Sequence, residues 1–373
     1  MPDRFDIAIL GGSPAGFAAA CHLAGKKCSV VLLNPPPTAA ECPLADWVSP
    51  EFFRLAGLPK SLAADTQAVA FQQVCYHSAL LDREVAYASR AKAGYFLQTA
   101  ELVKRLRKWA EKRHVTVHDT DQRPRIELRE DRVCLVGERT LTAKLLLITQ
   151  DRPAEALREL AMPLRNVPNA HLVTAGLDVP VKDRALAKRL QGILHVVESA
   201  ERTELGMFFL VGSLLHLRMI SSSRASGTRA AELSQMVRGL QEKRILPPNL
   251  SLGKARGAVW YPPAGMALEL EAHVAKRCLL AGSAGGFADT ITGHTLLPSV
   301  KSALLAADVA LAALKSGANV QETLASFKTL WRRSLAEYLR PPNTSLQMLL
   351  PLLFANKRIV SRFTRALLYG EPI

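Results

Sequence analysis

Residues 6–34 read DIAILGGSPAGFAAACHLAGKKCSVVLLN: an apolar run, a glycine cluster, an alanine-rich segment and a second apolar run. Short apolar runs such as 6–10 and 28–33 have the texture of strands buried on both faces of a parallel sheet. Residues 17–24 between them predict a helix, which Gly25-Lys26-Lys27 ends. Strand, glycine turn, helix and strand within about 30 residues make a βαβ unit. A dinucleotide site on such a unit needs a tight turn, close backbone approach to pyrophosphate, and a helix N-terminus aimed at the phosphates. Gly11 supplies the turn, Gly12, Ser13 and Ala15 carry the backbone past the phosphates, and Gly16 lets the helix pack on the strand. Ser13 stands where a second glycine is usual; its Cβ crowds the phosphates, while its hydroxyl can donate a hydrogen bond. Asn34 closes the second strand where an acid usually holds a ribose diol. A neutral bond in place of a charged one costs on the order of tenfold in affinity.

The chain has 373 residues, 49% hydrophobic and 22% charged, enough for two domains or one large one. The first residues lead straight into an apolar run, leaving no room for a signal peptide. No stretch approaches the ~18 uninterrupted apolar residues of a membrane span. A soluble cytoplasmic protein is the expectation. The six cysteines (Cys21, Cys28, Cys42, Cys75, Cys134 and Cys278) form no CxxC pair, which fits reduced thiols and predicts no metal site. The net charge of +15 suits a pyrophosphate cofactor, an anionic membrane surface or simply a solvated basic surface. No nucleic-acid-binding pattern accompanies it.

Further along, residues 99–112 predict an amphipathic helix with Leu102, Leu106 and Trp109 on one face. Residues 115–117 read as a strand, 126–128, 133–136 and 141–142 as a β-meander, and 145–149 as another buried strand. Residues 193–198, 207–211 and 214–220 are strand-length pieces followed by a helix over 229–243, the texture of an inserted antiparallel sheet. Residues 279–282 return to strand-plus-glycine, and a long Ala/Leu helix is predicted over 297–315.

Residues 278–312, CLLAGSAGGFADTITGHTLLPSVKSALLAADVALA, resemble the C-terminal flavin motif of the geranylgeranyl-reductase and p-hydroxybenzoate-hydroxylase-like FAD enzymes. That motif runs strand, Gly-Asp-Ala-Ala-Gly-Phe, Thr-Gly-Glu-Gly, long helix; Gly282, Ala284, Gly286, Phe287, Thr292 and Gly293 match it. Weaker matches are the segment 41–58 around Cys42, Gln98 before the helix at 99, Asp151 at the end of 145–152, and Trp260-Tyr261-Pro262-Pro263. The resemblance implies an α/β fold with an FAD/NAD(P)-binding Rossmann-like parallel-sheet domain (1–170 and 255–318). It also implies an inserted antiparallel-sheet substrate domain (171–254, with part of 43–95) and a C-terminal helical segment (319–373). It implies FAD as cofactor, held by Gly11, Gly12, Ser13, Ala15, Gly16, Asn34, Gln98, Asp151, Gly282, Ser283, Gly286, Thr292 and Gly293. NAD(P)H would be a transient electron donor. Amides around Thr292, Gly293 and His294 would face the electron-rich edge of the flavin ring.

The sequence departs from that pattern at Ser283 (for Asp), Arg152 (for Gly), Thr290 (for Pro), and His294 and Thr295 (for Glu and Gly). His294 is a candidate proton donor near the flavin, or a cap on the following helix. Cys42 is a candidate to face flavin or substrate, or a small buried hydrophobe. His195, His216 and Arg218 either line the pocket of the second domain or sit on a solvated sheet face. Basic residues interleaved with apolar ones over 327–368 predict either contact with an anionic membrane or a packed bundle with its arginines in water. The expected function is an FAD-dependent oxidoreductase on a hydrophobic or aromatic small molecule, most like a geranylgeranyl-reductase-type enzyme. A flavin monooxygenase or halogenase-like enzyme is one alternative. A non-catalytic binding protein of this fold that has lost FAD is the other. The sequence leaves the oligomeric state open.

Overall fold

A computed structural model describes residues 3–36, 43–150, 152–163, 172–199, 204–222, 229–252, 254–341 and 343–371. Its strands are β1 (Asp3–Leu10), β2 (Val30–Asn34), β3 (Ala45–Val48), β4 (Val69–Phe71), β5 (Gln73–His77), β6 (Glu84–Ala88), β7 (Gly94–Gln98), β8 (Thr116–Asp119) and β9 (Arg125–Leu128). They continue as β10 (Val133–Val136), β11 (Leu141–Ile148), β12 (Leu172–Pro180), β13 (Ile193–Glu198), β14 (Leu205–Val211), β15 (Leu214–Ser222), β16 (Arg256–Trp260), β17 (Val274–Ala275) and β18 (Cys278–Leu280). The helices are α1 (Pro14–Leu23), α2 (Leu62–Asp65), α3 (Thr99–Lys112), α4 (Pro153–Glu159), α5 (Arg184–Leu190), α6 (Arg229–Glu242), α7 (Met266–Glu269), α8 (Leu296–Lys315), α9 (Val320–Leu339), α10 (Leu346–Leu353) and α11 (Lys357–Tyr369).

The first sheet runs β17-β18-β11-β1-β2-β8, with β10 and β9 added antiparallel beside β11. Its centre is parallel: β1 pairs with β11 and β2, β2 with β8, and β11 with β18. Ile7 to Leu10 and Val31 to Leu33 are almost wholly buried because α1, α3, α8 and α9 cover one face while α4 and the β9–β10 hairpin cover the other. The expected strands at 141–142 and 145–149 are one strand, β11; Lys144, exposed between buried neighbours, interrupts the apolar run without breaking the pairing. The expected start of the second strand at Cys28 moves to Val30.

The second sheet runs β16-β12-β15-β14-β13-β5-β6, antiparallel except where β13 runs parallel to β5. A small sheet, β3-β7-β4, joins α10 and α11 on one face, and α5 and α6 cover the other. With helices on both faces, His195, His216 and Arg218 are buried at 7%, 0% and 2% exposure, so the solvated-face reading of these three residues is corrected. In α11, Val360, Phe363, Leu367 and Leu368 pack on this sheet, the Tyr76 and Thr364 hydroxyls lie 2.8 Å apart, and Arg358, Arg362 and Arg365 stay exposed. Among the described residues, α8 is the helix long and apolar enough to cross a membrane, and it is mostly buried within this fold.

Candidate functional site

Two glycine turns meet at the C-terminal edge of the parallel sheet. At the first, Gly11 takes φ +118°, which a side chain rarely adopts, and lies against Gln150 and Thr149. A Cβ on Gly16 would overlap the Gly11 carbonyl oxygen, the close helix–strand approach expected of the third glycine. Ser13 caps α1, its hydroxyl accepting from Gly16 N at 3.3 Å, with Pro14 opening the helix. Gly12 is covered: the Asn34 amide lies against its Cα, and a Cβ there would overlap Asn34 Oδ1. Asn34 Nδ2 donates to Asp119 Oδ1 at 2.7 Å, and Arg107 holds both Asp119 oxygens at 2.9 and 2.8 Å. The Arg107 bonds, and after them the Asn34 bond, keep the Asp119 carboxyl below the usual range. The carboxylate at this corner thus comes from β8, one strand over from where the sequence reading sought it.

The second turn is a single 3₁₀ turn, Gly282–Gly285, closed by Gly286 at φ +79°. Gly282, at φ +60°, brings it against Thr149 and Ala15, and its amide donates to Ser302 Oγ at 3.0 Å. The Ser283 hydroxyl donates to the Thr149 carbonyl oxygen at 3.4 Å, and the Ser13 hydroxyl reaches the same oxygen at 3.5 Å. The crevice between Ser13, Ala15, Thr149, Ser283, Thr295 and Ser299 has a volume of about 10 Å³. That is about one water molecule.

The loop leading into α8 turns its amides inward. Asp289 Oδ2 accepts from Ile291 N at 3.1 Å and from Thr292 N and Oγ1, each at 2.6 Å. Thr292 Oγ1 in turn accepts from His294 N at 3.2 Å. Gly293, at φ +61°, packs on Pro262. Burial pushes the Asp289 carboxyl above its ordinary value against the pull of these bonds.

His294 Nε2 accepts from Leu297 N at 3.4 Å, so its side chain caps α8, one of the two roles its position offered. Its ring stacks on Trp47 with centroids 4.9 Å apart and planes at 20°. The Arg218 guanidinium lies over the other partner, 4.4 Å from the Trp47 centroid, and its Nη1 is 3.0 Å from Asp46 Oδ1. His294 Nδ1 sits 3.1 Å from Asp46 Oδ2, within ion-pair range but off the line of a hydrogen bond. Asp46, Trp47, Arg218 and His294 are each 2% exposed or less. Burial opposes ionisation of Asp46, but Arg218 and His294 overrule it and hold the carboxyl down at about 2. Beside the cluster, His216 Nδ1 is 2.7 Å from Asp178, and burial drives the His216 pKa down. Gln98 lies at the N-terminus of α3, paired with Ala45 on the strand that carries Asp46 and Trp47. Cys42 and Asp151 lie outside the described residues.

The structure therefore brings together Gly11, Ser13, Ala15, Gly16, Gly282 and Ser283, and sets His294 beside Asp46, Trp47 and Arg218. Sequence reasoning missed Asp46 and Trp47, although both stand in the segment 41–58 that it quoted. Among the described residues, the crevice between the two glycine turns has no room for FAD. Small-molecule sites have volumes of ~300–1,000 Å³, against about 10 Å³ in the crevice. The amides of Thr292 and His294, expected at a flavin edge, are bonded within their own loop. The Trp47–His294 stack fills the space at the N-terminus of α8.

No protein-family model matches the chain, and no curated protein matches it in sequence. Solved structures do. A geranylgeranyl bacteriochlorophyll reductase-like protein from Thermoplasma acidophilum superposes with a TM-score of 0.70 at 15% identity, over 100% of this chain and 98% of that one. A p-nitrophenol 4-monooxygenase from Pseudomonas putida gives 0.70 at 14% identity, over 98% and 94%. A flavin-dependent brominase gives 0.69 at 12% identity, over 90% and 85%. The chain has the α/β fold of these proteins, and at such identities the likeness is one of fold.

Proposed function

We propose that this chain is a small-molecule-binding protein built on the flavin-oxidoreductase scaffold, one that does not carry FAD as a resident cofactor. The observation that speaks against resident FAD is the closure of the crevice between Ser13, Thr149 and Ser283 to about 10 Å³, with both serine hydroxyls within 3.5 Å of the Thr149 carbonyl oxygen. Those two serines stand where the family pattern has a glycine and an aspartate, so the substitutions and the closure support the same conclusion. The ligand class it inherits from the scaffold is a small hydrophobic or aromatic molecule, and admitting one at the cluster requires Trp47 to move. The test is the visible spectrum of the natively purified chain, together with thermal unfolding in added FAD. A colourless protein that FAD does not stabilise supports the reading. Flavin bands at about one FAD per chain overturn it.

A second reading is favoured by a different observation. Trp47 Nε1, Arg218 Nε, His216 Nε2 and Thr295 Oγ1 are buried without hydrogen-bond partners, and a polar ring seated among them would pair some of them. On that reading the chain is an FAD-dependent oxidoreductase of a hydrophobic or aromatic molecule, reductase-like or monooxygenase-like, with NAD(P)H as donor. It requires the Trp47–His294 stack to open, and the same spectrum decides for it.

A further inference from the structure

A second cluster of chemically active side chains lies in the seven-stranded sheet, away from the glycine turns. Cys75 and His77 are two apart on β5, so both point to one face. The parallel pairing of β13 sets His195 beside Cys75 in register, and the antiparallel pairing of β6 sets Glu84 opposite His77. Residues on that face of β13 and β14, Val197 and Phe208, pack with α5 and α6, whereas Val74 and Tyr76 point to the opposite core.

The geometry is that of a ligand set. His77 and His195 face each other with Nε2 and Nδ1 3.0 Å apart. One ligand atom from each of Cys75, His77 and His195 lies within 4.8 Å of the other two. All three residues are buried, at 5%, 3% and 7% exposure. Phe208 stacks on the His195 ring at 4.2 Å and 4° and fixes its plane. His195 Nε2 is buried without a hydrogen-bond partner. Glu84 reaches in from solvent, its Oε2 3.9 Å from His77 Nδ1, with 71% of its side chain exposed.

Core packing does not account for this composition. A buried sheet face is ordinarily apolar, and two imidazoles and a thiol there lose hydration for one mutual hydrogen bond and the reach of a single solvent-exposed carboxylate, Glu84. Two nitrogens and a thiolate are the donor set of borderline-soft divalent ions, which take three protein ligands and keep a fourth position for water or a carboxylate. We propose that Cys75, His77 and His195 form a site for a divalent ion of the zinc class, its fourth position taken by water, with Glu84 as the carboxylate beside Nδ1 on the far side of the His77 ring. On binding, the Cys75 thiol gives its proton to solvent, and two neutral imidazoles complete the set. This inference is independent of the state of the glycine crevice.

The test is a Co²⁺ titration of the full chain, prepared with a chelator that is then removed, and read by the thiolate-to-cobalt charge-transfer band. One Co²⁺ per chain with that band, displaced by Zn²⁺, is the expected result. Cys75→Ser should abolish the band while far-ultraviolet circular dichroism is unchanged. His195→Ala should weaken binding by on the order of 100-fold or more, since even outer partners of metal ligands reach that figure. The wild-type titration stands whether or not either variant folds. No thiolate band in the wild-type chain, or a band that survives Cys75→Ser, overturns the site.

Discussion

Ser13 and Ser283, far apart in the sequence, reach the same carbonyl oxygen, that of Thr149, at 3.5 and 3.4 Å. One caps the first helix of the parallel sheet and the other is the second residue of the late 3₁₀ turn, so this carbonyl oxygen sits between the two glycine turns. An aspartate at position 283 would aim a carboxylate at that carbonyl oxygen in a buried crevice. Burying an uncompensated charge is among the costliest single changes. Ser283→Asp should therefore lose about 2–4 kcal/mol in urea unfolding and gain no FAD absorbance. A variant that instead takes up FAD and recovers stability would reverse the reading of the crevice.

Gly12 and Asn34 make a second, separable prediction. Gly12 takes no left-handed φ, so alanine is excluded there by the Asn34 side chain alone. Gly12→Ala should destabilise by about 1–3 kcal/mol through overpacking, and Asn34→Ala in the same chain should return most of that loss. The coupling energy of the double-mutant cycle, expected at about 1 kcal/mol or more, is the readout. Additive losses would show that the two residues do not compete for this space.

The parallel sheet was legible because its strands are covered on both faces and therefore read as apolar runs beside glycine, as in residues 6–34. The late motif was legible because glycines with positive φ at 282, 286 and 293 have no substitute. The Asp46–Trp47–Arg218–His294 cluster was not legible. It assembles from β3, β15 and the loop before α8, and no local pattern marks a pairing between positions so far apart. Cys75 and His77 likewise meet His195 only through the parallel pairing of β5 with β13. CxxC spacing therefore does not mark them. At Asn34 the acid expected at the end of β2 is missing, while the fold recruits Asp119 from the neighbouring strand.

The Asp46–Arg218 pair is buried on both sides, at 0% and 2% exposure. Removing one partner strands the other charge, which typically costs ~3–5 kcal/mol, whereas replacing both with apolar groups is often near neutral. Arg218→Met should lose that amount in urea unfolding at pH 7, and Asp46→Leu with Arg218→Met should recover most of it. The pair also sets an acid limit. The Asp46 carboxyl is held at about 2 in the folded chain, against ~3.9 unfolded. Its contribution, roughly 2–3 kcal/mol, is fully present above pH ~4 and lost as pH falls toward 2. The double variant should lack that component of the acid transition. Single variants costing under ~1 kcal/mol would show the pair to be solvated in solution.

His273 predicts a pH response at milder acidity. It precedes β17, packs on Phe287, Phe327 and Trp331, and bonds the Gly285 carbonyl oxygen through Nε2 at 3.0 Å. A carbonyl only accepts, so Nε2 carries the proton of a neutral ring and buried Nδ1 has no partner to receive a second one. Burial drives its pKa down to about 4, Lys328 and Arg332 push the same way, and the Gly285 bond opposes them. The unfolded imidazole takes up its proton near ~6.5. As pH falls below that value the unfolded chain binds a proton that the folded chain refuses. Stability is thus fully present above ~6.5 and lost down to about 4, by roughly 3 kcal/mol in total. His216, also driven down by burial, adds its own slope. His273→Gln keeps a donor for Gly285 and cannot titrate. Urea unfolding at pH 7, 6, 5 and 4 should show the variant losing less stability than the wild type, with a slope smaller by up to ~1.4 kcal/mol per pH unit. Parallel curves for the two proteins would mean that His273 takes up its proton without unfolding the chain.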